Sequence, residues 1–218
     1  MRVISGKYKG KVLDGFDLEG TRPTKDRVKE SVFGSIQNKV KNSIFLDLFA
    51  GSGSIGIEAL SNGSSKCYFV DNSNLIFKTL VHNVEGIENG IVLKKEYLDA
   101  LKYFKNNNIK FDIVYIDPPY HLGLMNKAIK YIEDNILLNE SGIIICEYEE
   151  ESPICNYKLI KEKKFGKTNI KILKKEDSVF QDIIYKKLLE AEKETNNTSK
   201  RYTLEEVKNS MYDFLNKQ

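Results

Sequence analysis

The stretch from residue 44 to residue 58 constrains the fold most, because it joins an apolar run, a glycine loop and the start of a helical pattern. The apolar run contains Asp47, and the loop carries Gly51, Gly53 and Gly56 in the spacing G-x-G-x-x-G. Glycine is favoured in such loops because a Cβ would block both the tight turn and the close approach of a ligand. This order of strand, turn and helix predicts the opening unit of a parallel α/β domain.

An acidic residue follows the next apolar run, at the distance from the glycine loop that is typical of nucleoside-cofactor sites. Asp71 directly follows the apolar residues 67–70 and lies about twenty residues beyond Gly51. An acid at the end of the second strand holds the ribose hydroxyls of a nucleoside cofactor, and the N–H groups of the helix start suit an anionic group. The pattern therefore predicts a nucleoside-cofactor site and leaves the cofactor open. A turn that needs glycine only for packing is the alternative.

Strand-like and helical patterns alternate from residue 43 onwards, which predicts a parallel sheet with helices on both faces. The predicted strands are 43–48, 66–70, 91–94, 111–116 and 142–147, and the predicted helices are 54–62, 73–84, 97–105 and 124–136. Two further strands, 157–163 and 168–173, predict a hairpin at the sheet edge. Ligands bind at the carboxyl ends of parallel strands. Four acids fall at or just past such ends: Asp47, Asp71, Asp99 and Asp117.

The N-terminal segment predicts a small β-hairpin over residues 1–13, with lysines near its tip at Lys7, Lys9 and Lys11. A helix with Thr24 as its N-cap is expected to follow. Its apolar residues recur at helical spacing: Val28, Val32, Phe33 and Ile36. Its start is basic, with Arg22, Lys25, Arg27 and Lys29. Positive charge there opposes the helix dipole, so we expect these side chains to face an anionic partner or solvent.

The charge of the chain is distributed unevenly, although the net charge is only +3. Residues 1–45 carry ten Lys and Arg against five Asp and Glu, and residues 158–175 carry eight Lys against Glu162 alone. Two basic segments on an otherwise acidic chain indicate a surface that binds a polyanion. Solvated lysine faces are the alternative explanation.

Bulk composition excludes several classes of protein. No apolar stretch approaches membrane-spanning length, and the N-terminus lacks the apolar centre of a signal peptide, so we expect a cytoplasmic protein. The three cysteines are scattered, and the two histidines occur without a C-x-x-C, so neither a disulfide framework nor a metal site is expected. Residues 176–218 show two helical patterns separated by a polar linker, which predicts a helical C-terminal extension.

A second chemical stretch follows the strand predicted at 111–116, which runs directly into Asp117, Pro118, Pro119 and Tyr120. The two prolines fix φ and remove two N–H donors, leaving a stiff loop with outward carbonyls. A carboxylate, a fixed carbonyl and an aromatic ring together suit a planar ring with an exocyclic NH2 group. Asp117 and the Pro118 carbonyl would accept its hydrogens, and Tyr120 would stack on the ring. A proline turn with a surface tyrosine is the alternative.

These motifs carry a family resemblance. The run Asp47-Leu-Phe-Ala-Gly-Ser-Gly resembles motif I of S-adenosylmethionine-dependent methyltransferases, and Asp117-Pro-Pro-Tyr is similar to motif IV of those that methylate amino groups. The stretches M-R-V-I-S-G-K-Y-K-G-K, T-R-P-T-K-D-R-V-K-E-S-V-F and L-D-L-F-A-G-S-G-S-I-G-I-E-A-L closely resemble bacterial 16S ribosomal RNA guanine-N2 methyltransferases of the RsmD type. The resemblance covers about residues 1–175 and is not extended to residues 176–218.

The resemblance implies a Rossmann-like methyltransferase fold, with a mostly parallel sheet of seven strands, helices on both faces and a small N-terminal hairpin plus helix. It implies residues 1–42 as a lid over the cofactor and RNA site, 43–175 as the catalytic domain and 176–218 as the extension. The implied reaction transfers a methyl group from S-adenosylmethionine to the N2 amine of a guanine in small-subunit ribosomal RNA, free or in an assembling 30S particle. The protein is expected to be a monomer that binds neither a metal ion nor a membrane.

The resemblance also assigns residues. Those around the cofactor are Arg22, Thr24, Asp47, Phe49, Ala50, Gly51, Ser52, Gly53, Asp71, Asn72, Leu98, Asp99 and Asp117. Those that hold the target guanine are Asp117, Pro118, Pro119 and Tyr120. Those expected to contact RNA are Lys7, Lys9, Lys11, Arg22, Lys25, Arg27 and Lys167.

Three rival functions remain open from sequence. A DNA or other RNA adenine-N6 methyltransferase uses the same Asp-Pro-Pro-Tyr site, although it normally needs a further recognition domain. A dinucleotide-dependent oxidoreductase shares the glycine loop but leaves the stretch at Asp117 without a purpose. An RNA-binding module with a decayed site is the third, and it is disfavoured because both motifs are intact.

Overall fold

A central sheet organises the part of the chain that the structure describes. The computed structural model describes residues 1–15, 26–119 and 122–175. The strands within these ranges are β1 Ile44–Asp47, β2 Lys66–Asp71, β3 Gly90–Lys94, β4 Phe111–Ile116, β5 Leu138–Tyr148, β6 Lys158–Phe165 and β7 Thr168–Lys174. The helices are α1 Asp26–Val40, α2 Ser54–Ser61, α3 Asn74–Val84, α4 Tyr97–Asn106 and α5 Leu124–Asp134.

The order of strands places the glycine loop at the centre of the sheet. The described strands form one seven-stranded sheet in the order β3-β2-β1-β4-β5-β7-β6. β1 to β5 pair in parallel, whereas β7 is antiparallel to both β5 and β6. The order reverses between β1 and β4, which is the point where open α/β sheets bind ligands. The loops after β1 and β4 therefore meet at the switch point.

Successive side chains of each central strand enter opposite apolar layers. Phe45, Phe69 and Tyr115 pack in a cluster with α1, α2 and α3, whereas Leu46 and Val114 pack in a second cluster with α4 and α5. Strands that are buried on both faces explain the continuous apolar runs of the sequence. In the described ranges no helix is long and apolar enough to cross a membrane.

The N-terminal hairpin joins this core through a buried ion pair. Arg2 and Val12 form an antiparallel bridge. Glu58 of α2 accepts hydrogen bonds from the backbone N–H groups of Ile4 and Ser5, both at 2.9 Å. Its Oε2 lies 3.8 Å from Nζ of Lys29, and both side chains are fully buried. Lys29 also donates to the carbonyl of Arg2 at 2.6 Å. The pair thus links hairpin, α1 and α2.

The predicted fold class is confirmed, and the predicted elements match to within one or two residues, apart from β5, which begins four residues early. The edge hairpin of β6 and β7 is also present. Of the two alternatives for Lys29, solvent exposure is wrong: its ammonium faces an anionic group, but that group is Glu58 inside the core. The N-cap predicted at Thr24 lies outside the described residues, and so do the helices predicted within residues 176–218. The boundary at residue 42 stays a prediction.

Candidate active site

The glycine loop after β1 has the geometry that its sequence predicted. Gly53 has φ +81° and is the N-cap of α2, a conformation that residues with a Cβ adopt rarely. A Cβ on Gly56 would lie 2.2 Å from Cε1 of Phe69 and 2.6 Å from Sγ of Cys67. Gly56 therefore lets α2 pack directly on β2, which is the role of the third glycine in this fingerprint.

Two carboxylates hold the loop. Asp47, which is 2% exposed, accepts a hydrogen bond from the backbone N–H of Gly56 at 3.0 Å. Asp71 accepts from Gly51 N–H at 3.1 Å through Oδ2 and from Ser73 N–H at 2.9 Å through Oδ1. Asp71, the last residue of β2, therefore contacts the glycine loop directly. At the start of α2, the backbone N–H of Gly56 is therefore already bound by the carboxylate of Asp47.

Strand register brings the second motif to the first. Asp47 pairs with Tyr115 across β1 and β4, and Ile116 pairs with Cys146 across β4 and β5. Asp117 therefore follows β4 between the ends of its two neighbours, with Asp47 on one side and Glu147 on the other. The Tyr115 hydroxyl donates a hydrogen bond to Oε2 of Glu147. The two loops, far apart in sequence, meet at one edge.

Crowded carboxylates perturb one another at this edge. Burial raises the pKa of Asp117 well above its usual range, and the charges of Glu147, Asp47 and Glu149 raise it further. Burial likewise raises the pKa of Asp47 to about 7, opposed by the Gly56 N–H and assisted by the charge of Asp71. The pKa of Asp71 is raised by burial, against three backbone hydrogen bonds. This edge therefore favours a cation.

A cavity of about 380 Å³ opens beside Asp117, between the loop after β4, the start of α5 and the end of β5. Pro118 and Pro119 line one side, and Glu147 and Glu149 line another. Pro118 is buried and Pro119 is exposed. The cavity is large enough for a nucleobase, and it opens at the carboxyl ends of β4 and β5. Tyr120, predicted to stack on that base, lies outside the described residues.

The remaining predicted cofactor residues that the structure describes lie in the glycine loop, after β2 and at the start of α4. Ala50 and Ser52 are buried within it, and Phe49 packs its ring 5.3 Å from that of Tyr97 at the start of α4. Leu98 packs on the same apolar cluster as Phe49. Asn72 is exposed just after β2. Asp99 lies in the first turn of α4, where its exposed carboxylate accepts from Lys102 at 3.0 Å.

The described basic residues predicted to contact RNA are exposed, apart from Lys11, which is half-buried. Lys9 and Lys167 are exposed, as is Arg27 at the start of α1. Nζ of Lys7 lies 2.8 Å from Oε2 of Glu88, and Nζ of Lys11 donates to the carbonyl of Glu85 at 3.4 Å. Arg22, Thr24 and Lys25 fall outside the described residues.

Sequence reasoning missed two acids of the site. Glu147 and Glu149 come at the end of β5, after an apolar run, which is the same signal that singled out Asp47 and Asp117. Glu147 is 5% exposed and lies beside Asp117 in register. Despite these acids, no group of three or more His, Cys, Asp or Glu side chains in the described ranges is arranged to hold a metal ion.

The raised pKa of Asp47 predicts a pH-dependent stability. The folded protein binds this proton more tightly than the unfolded chain does, so the carboxyl stabilises the fold most below about pH 4. That stabilisation is lost as the pH rises towards about 7. At about 1.4 kcal/mol per unit, Asp47→Asn is expected to gain up to about 4 kcal/mol over the wild type between pH 4 and pH 8. Urea unfolding at a series of pH values measures this difference, and a constant difference would contradict it.

Comparison with solved structures places this fold in a class. The fold is that of Rossmann-like methyltransferases. The solved structure of the Escherichia coli protein yhhF is 27% identical, with a TM-score of 0.70, covering 81% of this chain and 98% of that one. An RNA methyltransferase from Salinibacter ruber, in complex with S-adenosyl-L-homocysteine, shares the fold with a TM-score of 0.53 at 11% identity, covering 70% of this chain and 93% of that one.

Sequence comparison identifies the family. The pattern of the family described as Conserved hypothetical protein 95 matches residues 1–174. The Haemophilus influenzae protein named Ribosomal RNA small subunit methyltransferase D is 36% identical over 173 residues, which are 76% of this chain and 89% of that protein. The chain therefore belongs to this family, the RsmD-type methyltransferases.

Proposed function

We propose that this protein transfers a methyl group from S-adenosylmethionine to the exocyclic N2 amine of a guanine in small-subunit ribosomal RNA. The observation that carries the proposal is the position of Asp117, which follows β4 between Asp47 and Glu147 and beside the cavity. The relative from Haemophilus influenzae bears the name of a small-subunit ribosomal RNA methyltransferase. A protein in this role acts in the cytoplasm, as a monomer on ribosomal RNA or an assembling 30S particle.

The donor set at the glycine loop fits S-adenosylmethionine better than a dinucleotide. The pyrophosphate of a dinucleotide binds the N–H groups at the helix start. In this chain the Asp47 carboxylate already accepts the Gly56 N–H, and the charges of Asp71 and Asp117 lie close by. A second anion there would be repelled, whereas a sulfonium cation would be attracted. The Salinibacter ruber protein of this fold is in complex with the demethylated form of this cofactor.

Different residues around the glycine loop would contact different parts of the cofactor. Asp47 and the loop from Gly51 to Gly53 would surround the methionyl part, and Asp71 would accept hydrogen bonds from the ribose hydroxyls. Leu98 and Asp99 would lie by the adenine, and Phe49, which packs on the same apolar cluster as Leu98, would add apolar surface there. S-Adenosylmethionine supplies an activated methyl group on a positively charged sulfur.

Asp117 and the Pro118 carbonyl act on the nucleophile. An arylamine is a weak nucleophile because its lone pair is delocalised into the ring. Two acceptors on its N–H groups favour a localised lone pair and stabilise the positive charge that develops on nitrogen. Alignment of the amine with the methyl group supplies the rest of the rate acceleration. The base must leave its stack to enter the cavity, and Tyr120 would compensate for the lost stacking.

The lining of the cavity favours guanine over adenine. Beside its amine, guanine carries an N1–H donor, whereas adenine carries an acceptor at N1. Glu147 and Glu149 line the cavity, and a carboxylate can accept several hydrogen bonds at once. An acceptor-rich wall matches the adjacent N1–H and N2 amine donors of guanine. The adenine-N6 alternative would place an acceptor against these oxygens.

Glu149→Gln is expected to lower kcat/KM for RNA by about 10- to 100-fold, the discrimination typical of one good base contact. The amide has one acceptor oxygen and adds donors that guanine N1–H cannot use. Methyl transfer from labelled cofactor to small subunits measures the effect. Glu151→Gln is the matched control, because Glu151 is an exposed cavity residue that accepts from Asn126. An equal loss in both variants would contradict a specific role for Glu149.

The experiment that tests the proposed function uses methyl-labelled S-adenosylmethionine and small subunits that lack this modification. After the reaction, the RNA is digested to nucleosides and the labelled product is identified. N2-methylguanosine is the expected product. N6-methyladenosine would support the adenine alternative, and the absence of label in RNA would contradict the proposal.

A further inference from the structure

One buried side chain touches both the glycine loop and the N-terminal segment. Asn83, near the end of α3, is 3% exposed. Its Oδ1 accepts a hydrogen bond from the backbone N–H of Asp14 at 2.9 Å. Its Nδ2 donates to the carbonyl of Asp14 at 3.0 Å and to the carbonyl of Ser52 at 2.9 Å. An Asn amide, with one oxygen and two hydrogens, satisfies all three contacts.

The contact to Ser52 fixes a part of the loop that would otherwise be adaptable. Ser52 lies between Gly51 and Gly53, and both glycines have positive φ, at 55° and 81°. Asp71 holds the loop at Gly51 N–H, and Gly53 N–H donates to the Ala50 carbonyl at 2.8 Å. Asn83 holds the carbonyl between them. Without it, the buried Ser52 oxygen would lose its partner, and the loop would have to turn to find another.

The contacts to Asp14 tie the same point to the N-terminal segment. Both backbone groups of Asp14 bond to one side chain, as they would to a neighbouring strand. Asp14 comes shortly before Arg22 and Thr24 in the chain, the residues predicted to close the cofactor site. The start of that stretch is therefore anchored to the glycine loop by one amide.

We infer that Asn83 is a positioning residue for the cofactor loop: it holds the Ser52 carbonyl and the Asp14 backbone so that the loop is pre-formed for S-adenosylmethionine. The inference rests on the proposed function, in which this loop binds the cofactor. A pre-formed loop does not pay an ordering cost on binding. Loss of the amide should therefore weaken cofactor binding more than it slows the reaction of bound cofactor.

A matched residue separates this role from general stabilisation. Asn62, at the other end of α2, also ties the N-terminal segment down: its Nδ2 donates to Ser5 Oγ and to the Glu58 carbonyl, both at 2.8 Å. It does not touch the glycine loop in the described ranges. Asn83→Ala and Asn62→Ala should therefore both lower the unfolding temperature, and only Asn83→Ala should impair the cofactor site.

The test measures Kd for S-adenosylhomocysteine by calorimetry, KM for S-adenosylmethionine, kcat and thermal unfolding in the full chain. Asn83→Ala is expected to raise Kd and KM about 10-fold, with kcat within about 3-fold of the wild type, and Asn62→Ala to leave Kd unchanged. If Asn83→Ala does not fold, Asn83→Ser is measured in the same way. Wild-type Kd in a folded Asn83 variant, or an equal rise in Asn62→Ala, would overturn this inference alone. A wild-type protein that does not bind S-adenosylhomocysteine would overturn the proposed function as well.

Discussion

Asp117→Asn is expected to lower kcat for methyl transfer by on the order of 10²- to 10³-fold, the usual cost of removing one pre-oriented group that stabilises transition-state charge. The amide keeps the shape of the carboxyl but carries no negative charge to stabilise the amine as it becomes positive. Kd for S-adenosylhomocysteine should stay close to the wild-type value, because the loop contacts of Asp47 and Asp71 remain. Single-turnover transfer of labelled methyl groups measures the rate.

The stability of this variant provides its control. Glu147, Asp47 and Glu149 all raise the pKa of Asp117 through their charges, so removing its charge relieves repulsion. The unfolding temperature of Asp117→Asn should therefore equal or exceed that of the wild type at pH 8. A lost activity accompanied by unfolding, or a lost affinity for S-adenosylhomocysteine, would contradict the role assigned to Asp117.

Lys29→Met should cause the largest loss of stability. Removing one partner of a buried ion pair leaves the other charge uncompensated, which costs about 3–5 kcal/mol. In this chain the charge left behind is Glu58, which is fully buried and holds the hairpin at Ile4 and Ser5. Urea unfolding at pH 7 measures the loss. The double variant Lys29→Met, Glu58→Gln should recover part of it, since no unpaired charge remains.

An exposed pair offers the matched comparison. Lys7 and Glu88 lie 2.8 Å apart, with more than half of each side chain exposed. Lys7→Met removes an equal charge from the hairpin itself, yet solvent screens this pair, and the free energy of unfolding should hardly change. Equal losses in Lys29→Met and Lys7→Met would contradict the assignment of the buried pair as the anchor of the hairpin.

Local sequence was sufficient to predict the strands, the glycine loop and the proximity of this loop to the stretch that begins at Asp117. Each of these depends on patterns within a few residues and on the rule that parallel strands end at one edge. Glu147 was missed although it carries the same signal as Asp117, an acid after a buried run. Its contribution depends on pairing with β4, which sequence alone does not reveal.

The sequence position of Lys29 indicates that its side chain is buried, although other basic residues surround it in the chain. It lies four residues before Phe33 and seven before Ile36, on the apolar face of α1. Glu58 is likewise a single acid in a helix whose residues are all buried. Two opposite charges on apolar faces indicate a buried pair, but among the surrounding basic residues Lys29 was expected to face an anionic partner or solvent, and Glu58 was not identified as that partner. Asn83 had no such signal, because its partners Asp14 and Ser52 are remote in sequence.

The structure of the full chain with bound S-adenosylhomocysteine tests most directly whether the loops after β1 and β4 form one catalytic site. We expect the homocysteine part beside the loop from Gly51 to Gly53, the ribose hydroxyls within hydrogen-bonding distance of Asp71, and the sulfur facing Asp117 and Pro118. A ligand bound away from Gly51, or a sulfur turned away from Asp117, would contradict the proposed methyl transfer at this edge of the sheet.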